Sequence, residues 1–269
     1  MTSSAKDAGI AVEIRDQVLR LEFNRPERKN SLDTNAVSVI IEALVQASSN
    51  DGLRAVVMTG RGPDFCSGAD WVASNSGSGD RPRTGNLQRR TALQAHRMID
   101  LLMEIQLPVV SIVQGWAAGL GCQIALASDF VIASESSRFW EPFLTRGFSP
   151  DSGATWLVPR LIGVARAKDF LLLGRELSGT EAASWGLIHR AVPDAMLDSA
   201  AASLVDQLAQ AATVAVGLTK RCVNRSLNTG LTEAMENEAF ALELSSRTGD
   251  FKEGLLAFKE RRTPTFRGR

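Results

Sequence analysis

The chain reads as an α/β protein with mostly parallel strands, and three observations predict this. Apolar, β-branched runs at Arg54 to Thr59 and at Val109 to Val113 have the character of strands. Each passes through a glycine-rich turn toward a helical pattern, the first through Gly60-Arg61-Gly62-Pro63-Asp64-Phe65-Cys66-Ser67-Gly68-Ala69-Asp70 and the second through Gly115-Trp116-Ala117-Ala118-Gly119-Leu120-Gly121-Cys122. Helical spacing also fills the interval from Leu87 to Glu104, and alternation of strand with helix is the mark of α/β architecture.

The elements can be justified in order. Alternating polarity in Ala11 to Arg15 and in Val18 to Phe23, with Asp16-Gln17 between them, predicts a hairpin. Val37, Ile40, Ile41, Leu44 and Val45 recur at helical spacing ahead of the first buried-type strand. The stretch Ala73 to Arg83, rich in Ser, Gly, Asn, Asp and Arg, predicts a mobile loop placed to cover a substrate. After the second turn, Leu120 to Ala127 reads as a helix. From Ala165 the chain is mainly helical, with capping-box signals at Ser178 to Glu181 and Asp250 to Glu253, broken by a short strand at Leu187 to Val192. Helices near 200–211, 213–227, 231–246 and 250–262 carry apolar faces that must pack on something beyond themselves. No internal repeat is evident, and the expected division is a core over 1–195 and a helical region over 196–269 without a clean linker.

Composition excludes several classes. Thirty basic and thirty acidic residues cancel, so no field favours nucleic acid or an anionic membrane. Cys66, Cys122 and Cys222 lack metal-type or disulfide-framework spacing and suit a reduced compartment, where they serve packing; no metal site is expected. The first nine residues are polar and no apolar run is long enough to span a bilayer, so cytoplasm is the default expectation.

The two turns carry the chemistry. A turn after a strand can aim a backbone N–H outward, and glycine lets the backbone approach a ligand closely. Two such N–H groups converging on one carbonyl oxygen stabilise the charge it gains when a neighbouring carbon loses a proton. A helix beginning at Leu120 adds the positive end of its dipole.

In these turns, in Asn24-Arg25-Pro26, in Pro108-Val109-Val110 and in Phe258-Lys259-Glu260-Arg261-Arg262, the chain resembles the crotonase or enoyl-CoA hydratase/isomerase superfamily, which acts on acyl-coenzyme A thioesters. The resemblance spans nearly the whole length. It implies a spiral of repeated ββα units with a C-terminal helical trimerisation region, a homotrimer or dimer of trimers, an acyl-CoA substrate, and no tightly bound cofactor beyond the coenzyme A of that substrate. It implies that the N–H groups of Ala69 and Leu120 hold the thioester oxygen. It also suggests that Arg25, Arg28 and Lys29 meet coenzyme phosphates, that the backbone near Phe65 to Ser67 meets the adenine, and that Phe258 and Arg261 reach a neighbouring subunit's coenzyme.

Departures from the family pattern shape the expected reaction. Hydratases of the superfamily use two glutamates that share a water; at the matching positions this chain has Gln123 and Phe143, neither of which is a base at neutral pH. Asp151 instead matches the aspartate by which several isomerases of the family move a proton between carbons. On residue type alone, Asp151 reads equally well as the N-cap of a helix starting at Ser152. Aromatic residues near Asp151, among them Trp140, Phe143 and Phe148, would raise its pKa and, with Gln123, are expected to shape a narrow acyl pocket. His96 matches the general base of a rarer member that dehalogenates 4-chlorobenzoyl-CoA and is a candidate partner of Asp151. Glu141 is a reserve carboxylate expected on the surface in a salt bridge, and His189 is structural. The leading expectation is double-bond isomerisation; the alternatives are hydration by unusual residues, aromatic substitution through His96, and non-catalytic acyl-CoA binding.

Overall fold

The computed structural model describes residues 8–70 and 83–269. The expected covering loop at Ala73 to Arg83 lies outside them apart from Arg83. Strands β1 (Ile10–Arg15) and β2 (Val18–Phe23) pair antiparallel through Asp16 and Gln17, both at positive φ (53° and 63°). Two left-handed residues give a turn whose twist matches that of the strands it joins, so the hairpin forms without a glycine.

Helix α1 (Thr34–Ser48) begins at Asp33, whose carboxylate accepts from the Ala36 N–H, and it buries Ala36, Val37, Ile40, Leu44 and Ala47 along one stripe. The main sheet then grows by parallel addition of β3 (Ala55–Gly60), β4 (Val109–Val113), β6 (Phe130–Ser134) and β9 (Arg190–Val192), in the order β1-β2-β3-β4-β6-β9. A smaller sheet joins β5 (Trp116–Ala118), β7 (Arg138–Trp140) and β8 (Leu177–Ser178). Between the sheets lies α4 (Leu120–Leu126), every residue of it buried.

The helix expected over Leu87 to Glu104 is instead three pieces: α2 (Asn86–Thr91), a π turn (Ala92–His96) and α3 (Arg97–Glu104). A π turn inserts a residue and rotates the faces that follow it. Leu87, Arg90, Thr91 and Gln94 therefore look into a cleft while Met98, Ile99 and Leu102 enter the core. Helix α5 (Ala154–Leu172) begins well before Ala165 and kinks at Gly163. Helix α6 (Gly179–Trp185) has the expected capping box between Ser178 and Glu181. The second box does not form. The cap of α10 (Gly249–Glu260) is Thr248, while Asp250 accepts from the N–H groups of Arg267 and Gly268 and holds the last residues against that helix.

The C-terminal helices divide by burial. Helix α7 (Leu197–Ala209) lays Val205 and Leu208 on Val18, Ala55, Val57 and Val110 of the main sheet, and Arg54 ties its end by donating to the Ala209 and Ala211 carbonyls. Helix α8 (Thr213–Ser226) is anchored by Lys220, whose buried ammonium sits 2.8 Å from Asp129 and donates to the Leu102 and Leu107 carbonyls. Helix α9 (Leu231–Ser245) buries none of its residues, although it carries Leu231, Met235, Phe240, Leu242 and Leu244. Cys66 and Cys122 are wholly buried, their thiols pushed up by burial, Cys66 to about 12, whereas Cys222 on α8 is half-exposed.

Candidate active site

The two glycine-rich turns lie side by side. Phe65 donates to the Gln114 carbonyl, Cys66 to Trp116, and Ala118 back to Cys66, so the first turn runs as a short ladder along the second. Buried Asn30 fixes the first turn from beneath, its amide donating to the Arg61 and Asp64 carbonyls while its oxygen accepts from the Arg25 N–H. Gly68 has φ of 95°, and a Cβ there would stand 2.7 Å from the Ala118 carbonyl oxygen and 3.2 Å from the Leu120 nitrogen. Only glycine allows the two turns to close so tightly.

That packing leaves two amides without a partner among the described residues. Leu32 donates to Gly68 and accepts from Asp70 in a parallel bridge opposite Ala69, so the N–H of Ala69 points away from that ladder. Leu120 is the first residue of α4, where an N–H has no partner within the helix. Ala69 and Leu120 line one and the same cleft.

The same cleft is lined by Phe143, Phe148 and Asp151. The Phe143 and Phe148 rings meet edge to face with centroids 5.4 Å apart. Asp151 is not a helix cap: α5 starts at Ala154 behind a left-handed Gly153, and no side chain caps it. Burial holds the Asp151 carboxyl above the usual carboxylate range, opposed by Ser152 beside it and by His96. His96 is exposed at the end of the π turn, and it shares with Asp151, Phe148 and Ser149 a recess next to the main cleft. The cleft's other carboxylate, Asp33, is already engaged as the cap of α1 and in an ion pair with Arg25 at 3.0 Å.

Several expected contacts differ. Gln123 is wholly buried and Trp140 donates its indole N–H to the Gly174 carbonyl, so neither lines the cleft. The Arg25 guanidinium is committed to Asp33 and Asp70, which makes it part of the scaffold and not a free phosphate ligand. Phe65 is buried edge to face on Phe23, with centroids 5.1 Å apart. Ser67 lines the cleft, whereas Arg28, exposed and paired with Asp70, and Lys29, over the Trp116 ring, are not among the residues lining it. Phe258, at 86% exposure, and Arg261, the left-handed cap of α10, stand apart from the cleft lining. His189 packs edge to face on Phe130, as a structural residue would.

Glu141 corrects the sequence reading most sharply. It is not on the surface in a salt bridge but wholly buried beneath the first turn of α4, 3.5 Å from the Gln123 amide nitrogen. Burial holds its carboxyl well above the ordinary range, with the charge of Asp151 adding to the effect and the Cys122 thiol opposing it. No local pattern marks this residue, because a glutamate between Trp140 and Pro142 reads as exposed. Arg90, Gln94 and Arg146, which also line the cleft, were hidden for the same reason.

The family model for enoyl-CoA hydratase/isomerase matches residues 13–269. Among curated proteins, a 1,2-epoxyphenylacetyl-CoA isomerase of Escherichia coli (strain K12) is 36% identical, covering 94% of this chain and 95% of that protein. A probable enoyl-CoA hydratase of Rhodobacter capsulatus is 34% identical, over 97% and 98%. Among solved structures, an enoyl-CoA hydratase from Bacillus anthracis superposes with a TM-score of 0.90 at 31% identity, over 97% of this chain and all of that one. With paired turns, a shared cleft and agreement over nearly its full length, the chain belongs to the enoyl-CoA hydratase/isomerase family of the crotonase superfamily and is an acyl-CoA enzyme of that family.

Proposed function

We propose that this protein shifts the double bond of an enoyl-CoA, with Asp151 moving the proton and the Ala69 and Leu120 amides stabilising the enolate. The observation that carries the proposal is the composition of the cleft: among the described residues, Asp151 is the one carboxylate of its lining not already paired with a guanidinium, and it shares that lining with the Ala69 and Leu120 amides. The ionised carboxylate takes a proton from the carbon α or γ to the thioester. The electron pair left behind delocalises into the carbonyl, whose oxygen becomes an enolate held by the two N–H groups. Asp151 then returns the proton at the other end of the three-carbon unit, restoring the carbonyl and leaving the double bond moved. No water enters, and one group both accepts and donates. Burial that raises the Asp151 pKa makes its carboxylate a stronger base for this task.

Hydration by two shared glutamates has no support in these residues, since Gln123 is buried away from the cleft and Phe143 offers only a ring. His96 favours a second reading, substitution on an aromatic thioester, because it adjoins Asp151 in the neighbouring recess. Product mass separates the readings: isomerisation leaves it unchanged. The decisive test is Asp151→Asn with a panel of enoyl-CoAs in deuterated water. Loss of deuterium incorporation with thioester binding retained supports the proposal; unchanged incorporation removes Asp151 from the mechanism.

The proposal extends to assembly. The exposed apolar side chains of α9, together with Phe258 on α10, support a trimer or a dimer of trimers in which these helices cover one another. Ser67 in the cleft lining, with Arg28 and Lys29 close to it, would meet the coenzyme, and no further cofactor takes part in the proton transfer.

A further inference from the structure

Glu141 and Gln123 pose a bonding problem that one proton solves. Both side chains are wholly buried. The Gln123 amide nitrogen lies 3.5 Å from one carboxyl oxygen of Glu141, yet the other carboxyl oxygen, Oε1, and the amide oxygen of Gln123 have no hydrogen-bond partner. Around this carboxyl, α4 presents Cys122 and Gln123 and the segment before α5 presents Asp151; no basic side chain pairs with it among the described residues. A carboxylate would offer the Gln123 amide oxygen no donor and would leave a charge in the interior that no basic group compensates. A carboxylic acid would not. Its O–H donates to the amide oxygen while the amide N–H donates to its carbonyl oxygen, and both orphaned atoms are satisfied at once.

The pair sits where it can set the geometry of the cleft. Gln123 belongs to α4, the helix that begins at Leu120, and its own N–H donates to the Gly119 carbonyl. Glu141 follows Trp140, whose carbonyl accepts from Gly119, and precedes Pro142 and Phe143 of the cleft wall. We propose that Glu141 is a positioning residue: as a neutral acid paired with the Gln123 amide, it clamps the Trp140 to Phe143 segment to the first turn of α4 and thereby holds the Leu120 amide in place opposite Asp151. The inference rests on the isomerase reading only for the identity of the groups being positioned. The residue standing where a hydratase carries a glutamate thus acquires a different task, holding a buried acid in place.

Infrared difference spectroscopy on the full-length protein tests the proton directly. The carbonyl-stretch band of a buried carboxylic acid is expected in the wild type at neutral pH and is lost in Glu141→Gln; absence of the band overturns the proposal. The absorbance of a bound, conjugated acyl thioester moves to the red as its carbonyl is polarised, so it reports the amide geometry without any turnover. Glu141→Gln, which still pairs amide to amide, keeps the red shift and the proton-exchange rate. Glu141→Leu diminishes the shift and lowers kcat about ten- to a hundredfold with little change in KM, the scale expected for misplacing one catalytic group. Equal damage in both variants, or none in Glu141→Leu, overturns the proposal. Should Glu141→Leu fail to fold, the band and the Glu141→Gln result decide. If the wild type exchanges no proton with any enoyl-CoA, the isomerase reading falls, while the band and the red shift still judge Glu141.

Discussion

The Leu120 amide can be deleted almost surgically by Leu120→Pro. Proline lacks the N–H that is proposed to hold the enolate and is well tolerated at the first position of a helix, which Leu120 occupies in α4. The preceding residue must avoid the right-handed helical region before proline, and Gly119, at φ 50° and ψ −124°, already does. The Leu120 N–H has no hydrogen-bond partner among the described residues, so its removal breaks no structural hydrogen bond there. Leu120→Pro also removes a buried side chain, and Leu120→Ala is the control that removes the side chain and keeps the amide. Loss of the buried leucine costs about 2–5 kcal/mol of stability by the usual scale for core truncation. The amide itself is worth about a hundred- to a thousandfold in kcat, or roughly 2.7–4 kcal/mol, the effect of removing one oxyanion donor. The assay is the rate of solvent-deuterium incorporation into an enoyl-CoA at saturating thioester, with folding checked by circular dichroism. A Leu120→Pro enzyme that turns over within about tenfold of Leu120→Ala refutes the assignment of this amide.

Four further outcomes follow from the structure. Activity should fall as pH drops through the raised pKa of Asp151, an acid limb above the ordinary value of about 3.9. Because the folded-state pKa is the higher one, the stability linked to this group is present below the unfolded pKa and lost as pH rises through the folded pKa. Asp151→Asn should therefore raise Tm at pH 7, by about 2–4 °C for each kcal/mol relieved, and a lowered Tm would contradict the desolvation. Lys220→Met strands Asp129 in a largely buried site and should cost about 3–5 kcal/mol in urea unfolding; adding Asp129→Asn, which still accepts from the Val109 N–H, should recover much of it, and a loss in Lys220→Met of less than about 1 kcal/mol would show the pair to be idle. Phe240→Glu, on the exposed face of α9, should reduce the sedimenting mass to that of a protomer; an unchanged mass moves the proposed interface elsewhere.

Local signals located the hairpin, the strand at Val109 to Val113, the capping box at Ser178 and the two turns, because each depends on residues close together in the chain. Ala69, Leu120 and Asp151 are candidates through the resemblance to the crotonase superfamily and not through any local signal, and the fold brings these three to one cleft. What escaped depends on distant partners. Periodicity cannot register the π turn at Ala92–His96, since one inserted residue hardly alters the pattern. Asp250 satisfies the sequence rule for a capping box, yet its carboxylate is used by amides at 267 and 268, a contact that exists only after the chain folds back. Arg25 was indistinguishable from a phosphate ligand until Asp33 and Asp70 converged on it. Glu141 was read as a surface charge because nothing in Trp140-Glu141-Pro142 announces that α4 will cover it.

The unequal burial of the three thiols has a practical corollary. A thiolate is the reacting form, so Cys66, with a pKa pushed up to about 12 and no access to solvent, and Cys122, also buried and shifted in the same direction, are inert toward alkylating reagents at neutral pH. Cys222 alone remains addressable. A maleimide fluorophore would attach at a single point on α8, beside α9, without any prior mutagenesis, and energy transfer between labelled copies would report how protomers come together and part.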